Sequence, residues 1–124
     1  MKKLIFVFMC FVVVGLFGQE PIDKSEYREI GDGRDLAWEV DEVLLTVGEK
    51  ITWTSDRAWQ SGRWINDSTT GTNSNVSADR NWRLDSGTHY RFFGIVTGVQ
   101  RYEGRMQTAI RVHHVEEIPA PTRR

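Results

Sequence analysis

The stretch His89–Val115, "HYRFFGIVTGVQRYEGRMQTAIRVHHV", decides the fold class. Tyr90, Phe92, Gly94 and Val96 alternate with Phe93, Ile95, Thr97 and Val99, so the run has the period of a strand. Both sides are apolar at its start, as in a strand covered on both faces. Glu103-Gly104 has the composition of a two-residue hairpin turn. From Met106 the chain returns, with Thr108, Ile110 and Val112 on the side of Met106. Gln107, Arg111 and His113 take the other side. Two long antiparallel strands joined by a tight turn are therefore expected at the C-terminal end.

Working outward from this hairpin, the same period reappears in "EVLLTVGEKITWTS", rich in valine, threonine and isoleucine. Gly48 interrupts it, either as a bend in one long strand or as a hairpin turn at Gly48-Glu49. "DRAWQSGRWIND" reads as a loop leading into a strand near Arg63–Ile65. "NDSTTGTNSN" is a polar turn. "VSADRNWRLDSGT" is either a short strand or a connection with one helical turn. Before Asp41 lies an acidic leader, residues 19–40, broken by Pro21, Gly31 and Gly33. It fits a short helix capped at Ser25 with Tyr27 and Ile30 on one side, or a loose tail held by Trp38. Residues 119–124, with two prolines from Pro119 on, are expected to fray.

The first 18 residues, "MKKLIFVFMCFVVVGLFG", have two lysines, an apolar run from Leu4 to Phe17 and a small residue at the end. This is the pattern of a signal peptide. The run is short of the ~20 residues that span a bilayer. Cys10 sits inside it and not at its end, which is a poor position for lipid attachment. Cleavage after Gly18 removes that single cysteine, so no disulfide staples the remainder. A periplasmic or secreted protein without a stable membrane span is the expectation.

The formal charge of −1 conceals two halves. Residues 19–56 hold 11 acidic and 4 basic side chains, and residues 57–124 hold 6 acidic and 10 basic ones, all arginine. Arginine forks onto carboxylate and phosphate and stacks on rings better than lysine. Trp53, Trp59, Trp64 and Trp82 lie among Arg57, Arg63, Arg80 and Arg83. Trp53, in the alternating run, is expected in the core. Arg101, Tyr102 and Arg105 flank the hairpin tip. The candidate ligand-binding residues are Trp59, Arg63, Trp64, Arg83, Arg101, Tyr102 and Arg105. The bland alternative is a solvated mixed surface with cross-strand pairing of Arg101 or Arg105 to Glu103.

Other chemistry finds little support. His113 and His114 are adjacent and on a strand face opposite sides, so they do not share a metal. Asp67, Thr69, Gly71 and Asn73 lack the spacing and closing glutamate of a calcium loop. No nucleophile–base pair or phosphate-cradling glycine loop is present. The expectation is a non-enzyme without cofactor or metal.

"GIVTGVQRYEGRMQTAIRVHHVEEI" resembles the closing hairpin of OB-fold domains, with Gly94, Tyr102, Gly104, Val115 and Ile118 at the matching places. "NDSTTGT", Asn66 to Thr72, is similar to the turn between the second and third strands of that fold. Gly48 stands where its first strand bends. The resemblance covers Asp41 to Ile118 and is to small exported bacterial proteins of this type. It implies a small five-stranded all-β barrel that binds an oligonucleotide or oligosaccharide on its second and third strands and nearby loops. The link between "DRNWRL" and "SGTHY" is too short for the helix usual there. "LTVGEKITWTSD" also looks like the early strands of cupredoxins. A copper site needs two histidines and a cysteine, so this second likeness leaves a plain β-sandwich as the alternative fold.

Two functions follow as expectations. One is an exported binding module whose Arg/Trp-rich face holds nucleic acid or envelope glycan, with the acidic leader shielding that face when empty. The other is a structural subunit that docks an envelope protein through a sheet edge or the hairpin.

Overall fold

The computed structural model describes residues 22–71 and 73–119, the side chain of Tyr102 excepted. The signal peptide read at residues 1–18 and the tail from residue 120 lie outside the described residues.

The structure is mostly strand. β1 (Arg28–Asp32), β2 (Lys50–Ser55), β3 (Ala58–Ser61), β4 (Trp64–Asp67), β5 (Ser74–Ala78), β6 (Tyr90–Tyr102) and β7 (Arg105–Glu117) form one mixed sheet. Its order is β1-β2-β6-β7-β5-β4-β3. β1 runs parallel to β2 and β5 parallel to β7, and the other neighbours are antiparallel. The C-terminal hairpin is as the sequence reads. Glu103 and Gly104 both have positive φ, 50° and 77°, which matches the twist of the flanking strands.

Seven strands stand where five were expected, for two reasons. The leader adds β1, a parallel edge strand. The stretch after Asp56, read as a loop, forms β3, and Asp56-Arg57 divide it from β2. These two residues alone separate β2 from β3, yet four strands lie between them in the sheet. At ~4.8 Å per strand a flat sheet holds β2 and β3 ~24 Å apart. Three Cα steps reach only ~11 Å. The sheet is therefore curled.

Gly48 is not the bend. It sits in a turn ahead of β2 with φ 91°, and its amide donates to Val96 O at 2.7 Å. Residues 42–49 are not strand, despite their alternation, because α1 ends immediately before them.

α1 (Gly33–Asp41) lies later than the helix expected from Ser25. Asp32 and Asp35 make a reciprocal capping box at its start. Leu36 and Val40, one turn apart, are fully buried, whereas Trp38 is 59% exposed. The two aliphatic side chains enter the same core as Ile51, Trp53, Phe92 and Ile110. Trp53 stacks on Phe92 with ring centroids 5.4 Å apart. α1 thus packs its apolar stripe into the curled sheet. No helix occurs between β5 and β6.

The rest of the leader lies along β2. A 3-10 turn at Lys24–Glu26 precedes β1. Glu29 pairs with Arg91 at 2.5 Å, Lys24 with Glu116 at 2.9 Å, and Glu26 with Lys50. Arg28 bridges Glu39 and Glu49, at 2.7 and 2.5 Å. Tyr27 meets Phe93 edge-on at 5.2 Å and its hydroxyl bonds His113 Nε2.

Candidate functional site

The β3–β4 hairpin sets the site. Its register pairs Trp59 with Asn66 and Ser61 with Trp64. Directly paired residues share a face, so both indoles point the same way. That face is outward: Ala58 and Ile65 on the opposite one are buried. Trp59 is 47% and Trp64 59% exposed. The hairpin turn is only Gly62-Arg63, with Gly62 at φ 61° and Arg63 exposed beside Trp64.

The register carries this face across the sheet. Trp64 pairs with Ser77, Ser77 with Arg111, and Arg111 with Ile95. Beside this row, Asn75 pairs with Ala109 and Ala109 with Gly98. Gln107 pairs with Gln100 beyond them. Asn75, Gly98, Gln100, Gln107 and Ala109 line a shallow groove of about 120 Å³. Glycine and alanine leave its floor low, and amides form its walls. The face therefore offers two flat apolar rings, neutral donors and acceptors along its middle, and guanidinium groups at Arg111 and, toward its margins, Arg63 and Arg105.

The sequence-derived residues divide accordingly. Trp59, Arg63 and Trp64 are brought together. Arg105 is on the outward side of β7, in line with Gln107 and Arg111. Arg101 pairs with Met106 and so falls on the opposite side of the ribbon from Arg105. Arg83 is exposed on the connection after β5, with φ 56°. The backbone of Tyr102 pairs with Arg105, while its side chain lies outside the described residues. The expectation of seven grouped residues thus reduces to four on one face. Alternation at the tip separates Arg101 from them.

Asn66, Asn75, Ser77, Gln100, Gln107 and Arg111 were not among the expected residues. Their signal was the period-two placement of polar residues opposite buried ones, which becomes a surface only once the register is known.

The other two tryptophans of the cluster serve packing. Trp53 is 1% exposed. Trp82 is half-buried, with Arg80 over its ring at 4.8 Å and the His114 ring edge-on at 6.2 Å. His113 and His114 do not part as a regular strand requires. Phe93 pairs with His114 and Gly94 with Val112, so His113 is the extra residue of a bulge. His114 reaches Phe93 at 5.4 Å while His113 reaches Tyr27 at 5.6 Å. Burial pushes the His113 imidazole below its ordinary value of 6.5. Arg111, His114 and Lys50 add to this, and Asp79 opposes it.

Acidic side chains of the leader are engaged by Arg28 on β1, Lys50 on β2 and Arg91 on β6, and among the described residues no ion pair joins one of them to Arg63 or Arg105. Among the described residues, no group of three or more His, Cys, Asp and Glu is placed to hold a metal. No helix among them is long and apolar enough to cross a membrane. No family model matches the chain, and no curated protein sequence is significantly similar to it.

Proposed function

We propose that the chain is an exported, non-catalytic binding module on an OB-type barrel, and that its β3–β4–β5–β7 face holds an extended, neutral glycan of the cell envelope. The barrel reading is supported by the pairing list. Counting Lys50–Ser61 as one strand broken at Asp56-Arg57, the pairings run one–four–five–three–two–one, a circuit of five. α1, coming from the leader, then supplies the helical plug that the short connection after β5 has no room for. In such a barrel, strands two and three and the loops beside them take the ligand. Here those are β4, β5, Gly62-Arg63 and Glu103-Gly104. Export rests on the charged, apolar and small-residue order of residues 1–18.

The observation that carries the ligand class is the company the exposed indoles keep. A phosphate polymer needs a track of cations. Arg83 and Arg101 stand away from the face, and the three arginines on it do not adjoin one another: Arg63 is in the β3–β4 turn, Arg105 is at the β6–β7 tip, and Arg111 is flanked by Ser77 and Ile95. Amides, hydroxyls and two flat rings suit sugar rings, which have an apolar side and a hydroxyl rim.

Titrations with uncharged envelope oligosaccharides and with single-stranded DNA, at low and high salt, test this. Saturable glycan binding that is the same at both salts is expected. Binding to DNA alone, falling steeply with salt, overturns the glycan reading in favour of phosphate recognition. Binding to neither, together with an envelope-protein partner still captured by a Trp59→Ala/Trp64→Ala variant, favours the docking subunit.

A further inference from the structure

A second cavity, about 310 Å³, lies where β2 breaks into β3. Asp32, Arg34, Asp56, Arg57, Thr69 and His89 line it, with Gly33, Thr54 and Ser55. It is made by four separate segments: the α1 start, the strand corner, the β4–β5 turn and the approach to β6. Each wall is fixed. Ser55 Oγ accepts from the Arg57 amide at 3.1 Å. The Asp56 carbonyl accepts from Gly87 N at 2.7 Å and the His89 carbonyl from Ile118 N at 2.9 Å. Gly33 meets the Thr69 side chain so closely that a Cβ there would stand 2.1 Å from Oγ1.

The charges inside are balanced and unspent. Among the described residues, no ion pair joins Arg34 or Arg57 to Asp32 or Asp56, or to any other carboxylate. Asp32 uses Oδ1 to cap the amides of Arg34 and Asp35, at 2.9 and 3.0 Å. The helix start is therefore already satisfied and is not the anion donor. His89, which lines the cavity, keeps its Nδ1 buried with no hydrogen-bond partner among the described residues.

We propose that this corner cavity is a second binding site, for a small zwitterion of the amino-acid class. Its carboxylate lies toward Arg34 and Arg57, its ammonium toward Asp56 and the free oxygen of Asp32. A pure anion leaves two carboxylates facing it, and a pure cation leaves two guanidinium groups. A zwitterion meets both pairs at once. The volume, about 310 Å³, is at the lower end for ligand pockets and fits a single amino acid. The site does not depend on the glycan-binding reading.

NMR titration of the full mature chain tests it, with L-glutamine and glycine as zwitterions, acetate as the anion alone and ethylammonium as the cation alone. Saturable shifts of the Gly33 and Asp56 amides and the His89 ring are expected with the zwitterions. Acetate and ethylammonium bind at least tenfold more weakly. Arg57→Gln and Asp56→Asn, both at exposed positions, each weaken zwitterion binding at least tenfold with unchanged melting temperature. Trp59→Ala/Trp64→Ala leaves it unchanged. No saturable shift with either zwitterion overturns the proposal. So does acetate binding as tightly as glycine, or binding indifferent to both pocket substitutions.

Discussion

At the scale of single residues, the same side-chain type takes opposite tasks according to strand parity. Trp53 is interior, stacked on Phe92, whereas Trp59 and Trp64 leave about half their surface in solvent. Replacing an exposed indole by alanine therefore changes stability by only ~0.5 kcal/mol. If each ring is covered by ligand, its loss weakens binding by roughly 1.5–3 kcal/mol, tenfold or more in Kd. Calorimetry of Trp59→Ala and Trp64→Ala against oligosaccharide, beside thermal melts, checks both halves of that statement. Gly98 offers a complementary test. A Cβ there meets only the Ala109 Cβ, at the ordinary distance of 3.8 Å. Gly98→Val is accordingly expected to fold and yet to raise the groove floor and weaken binding. Gly94 is the contrast. A Cβ there would stand 2.9 Å from the Arg111 carbonyl, so Gly94→Ala is expected to cost ~1–3 kcal/mol in denaturant unfolding.

At the scale of elements, two tethers hold irregular segments to the sheet. Gln60 on β3 donates to the carbonyls of Arg80 and Gly62, at 2.6 and 3.0 Å, and accepts from the Trp82 amide at 2.8 Å. The connection from Asp79 to His89 has no helix to hold itself, and this side chain fastens its first part while the Asp85 amide donates to the Tyr90 hydroxyl at 3.0 Å and the Gly87 amide to the Asp56 carbonyl at 2.7 Å. Gln60→Ala should cost ~1–3 kcal/mol and speed amide exchange at Trp82.

The leader's tether is pH-sensitive. The Tyr27 hydroxyl and His113 Nε2 share a hydrogen bond. The His113 pKa is depressed below 6.5 in the fold, so the unfolded chain takes up this proton first. Its contribution is whole above pH ~6.5 and fades as pH falls through the folded value. Glu49 and Glu116 are depressed below 4.5, and burial opposes both shifts. Arg28 and the Thr46 amide outweigh it at Glu49, as do Lys24 and His114 at Glu116. Their contributions are lost only at lower pH. A melting-temperature profile should fall in two steps, and His113→Gln should remove the upper step and leave the lower.

The elements also differ in how far sequence exposes them. The Tyr90–Glu117 hairpin was legible because turn and alternation are local signals. β1 was not, since a parallel pair joins residues far apart and leaves no turn between them. The alternation of Glu42–Val47 misled, because tertiary context gave that stretch to the exit from α1. Likewise Trp59 and Trp64 stood out in the sequence, while Asn75, Gln100 and Gln107 read as ordinary solvated positions until register set them side by side.

At the scale of the whole molecule, the leader's ion pairs fasten it to the sheet, mostly within the acidic half (Glu26–Lys50 and the two Arg28 pairs), with Glu29–Arg91 and Lys24–Glu116 crossing to the other half. Acidic side chains of the leader pair with Lys50 and Arg91 on β2 and β6. The curled sheet is thus fastened on the side where the leader lies along it, and the β3–β4–β5–β7 face keeps its two exposed rings. This separation of fastening from binding is the central claim. Five indole N–H signals report on it directly, from Trp38, Trp53, Trp59, Trp64 and Trp82. On titration with an uncharged envelope oligosaccharide, the Trp59 and Trp64 signals should move together and saturate, with Trp38 and Trp53 still. Saturation that moves Trp38 and leaves Trp59 and Trp64 in place would contradict the account.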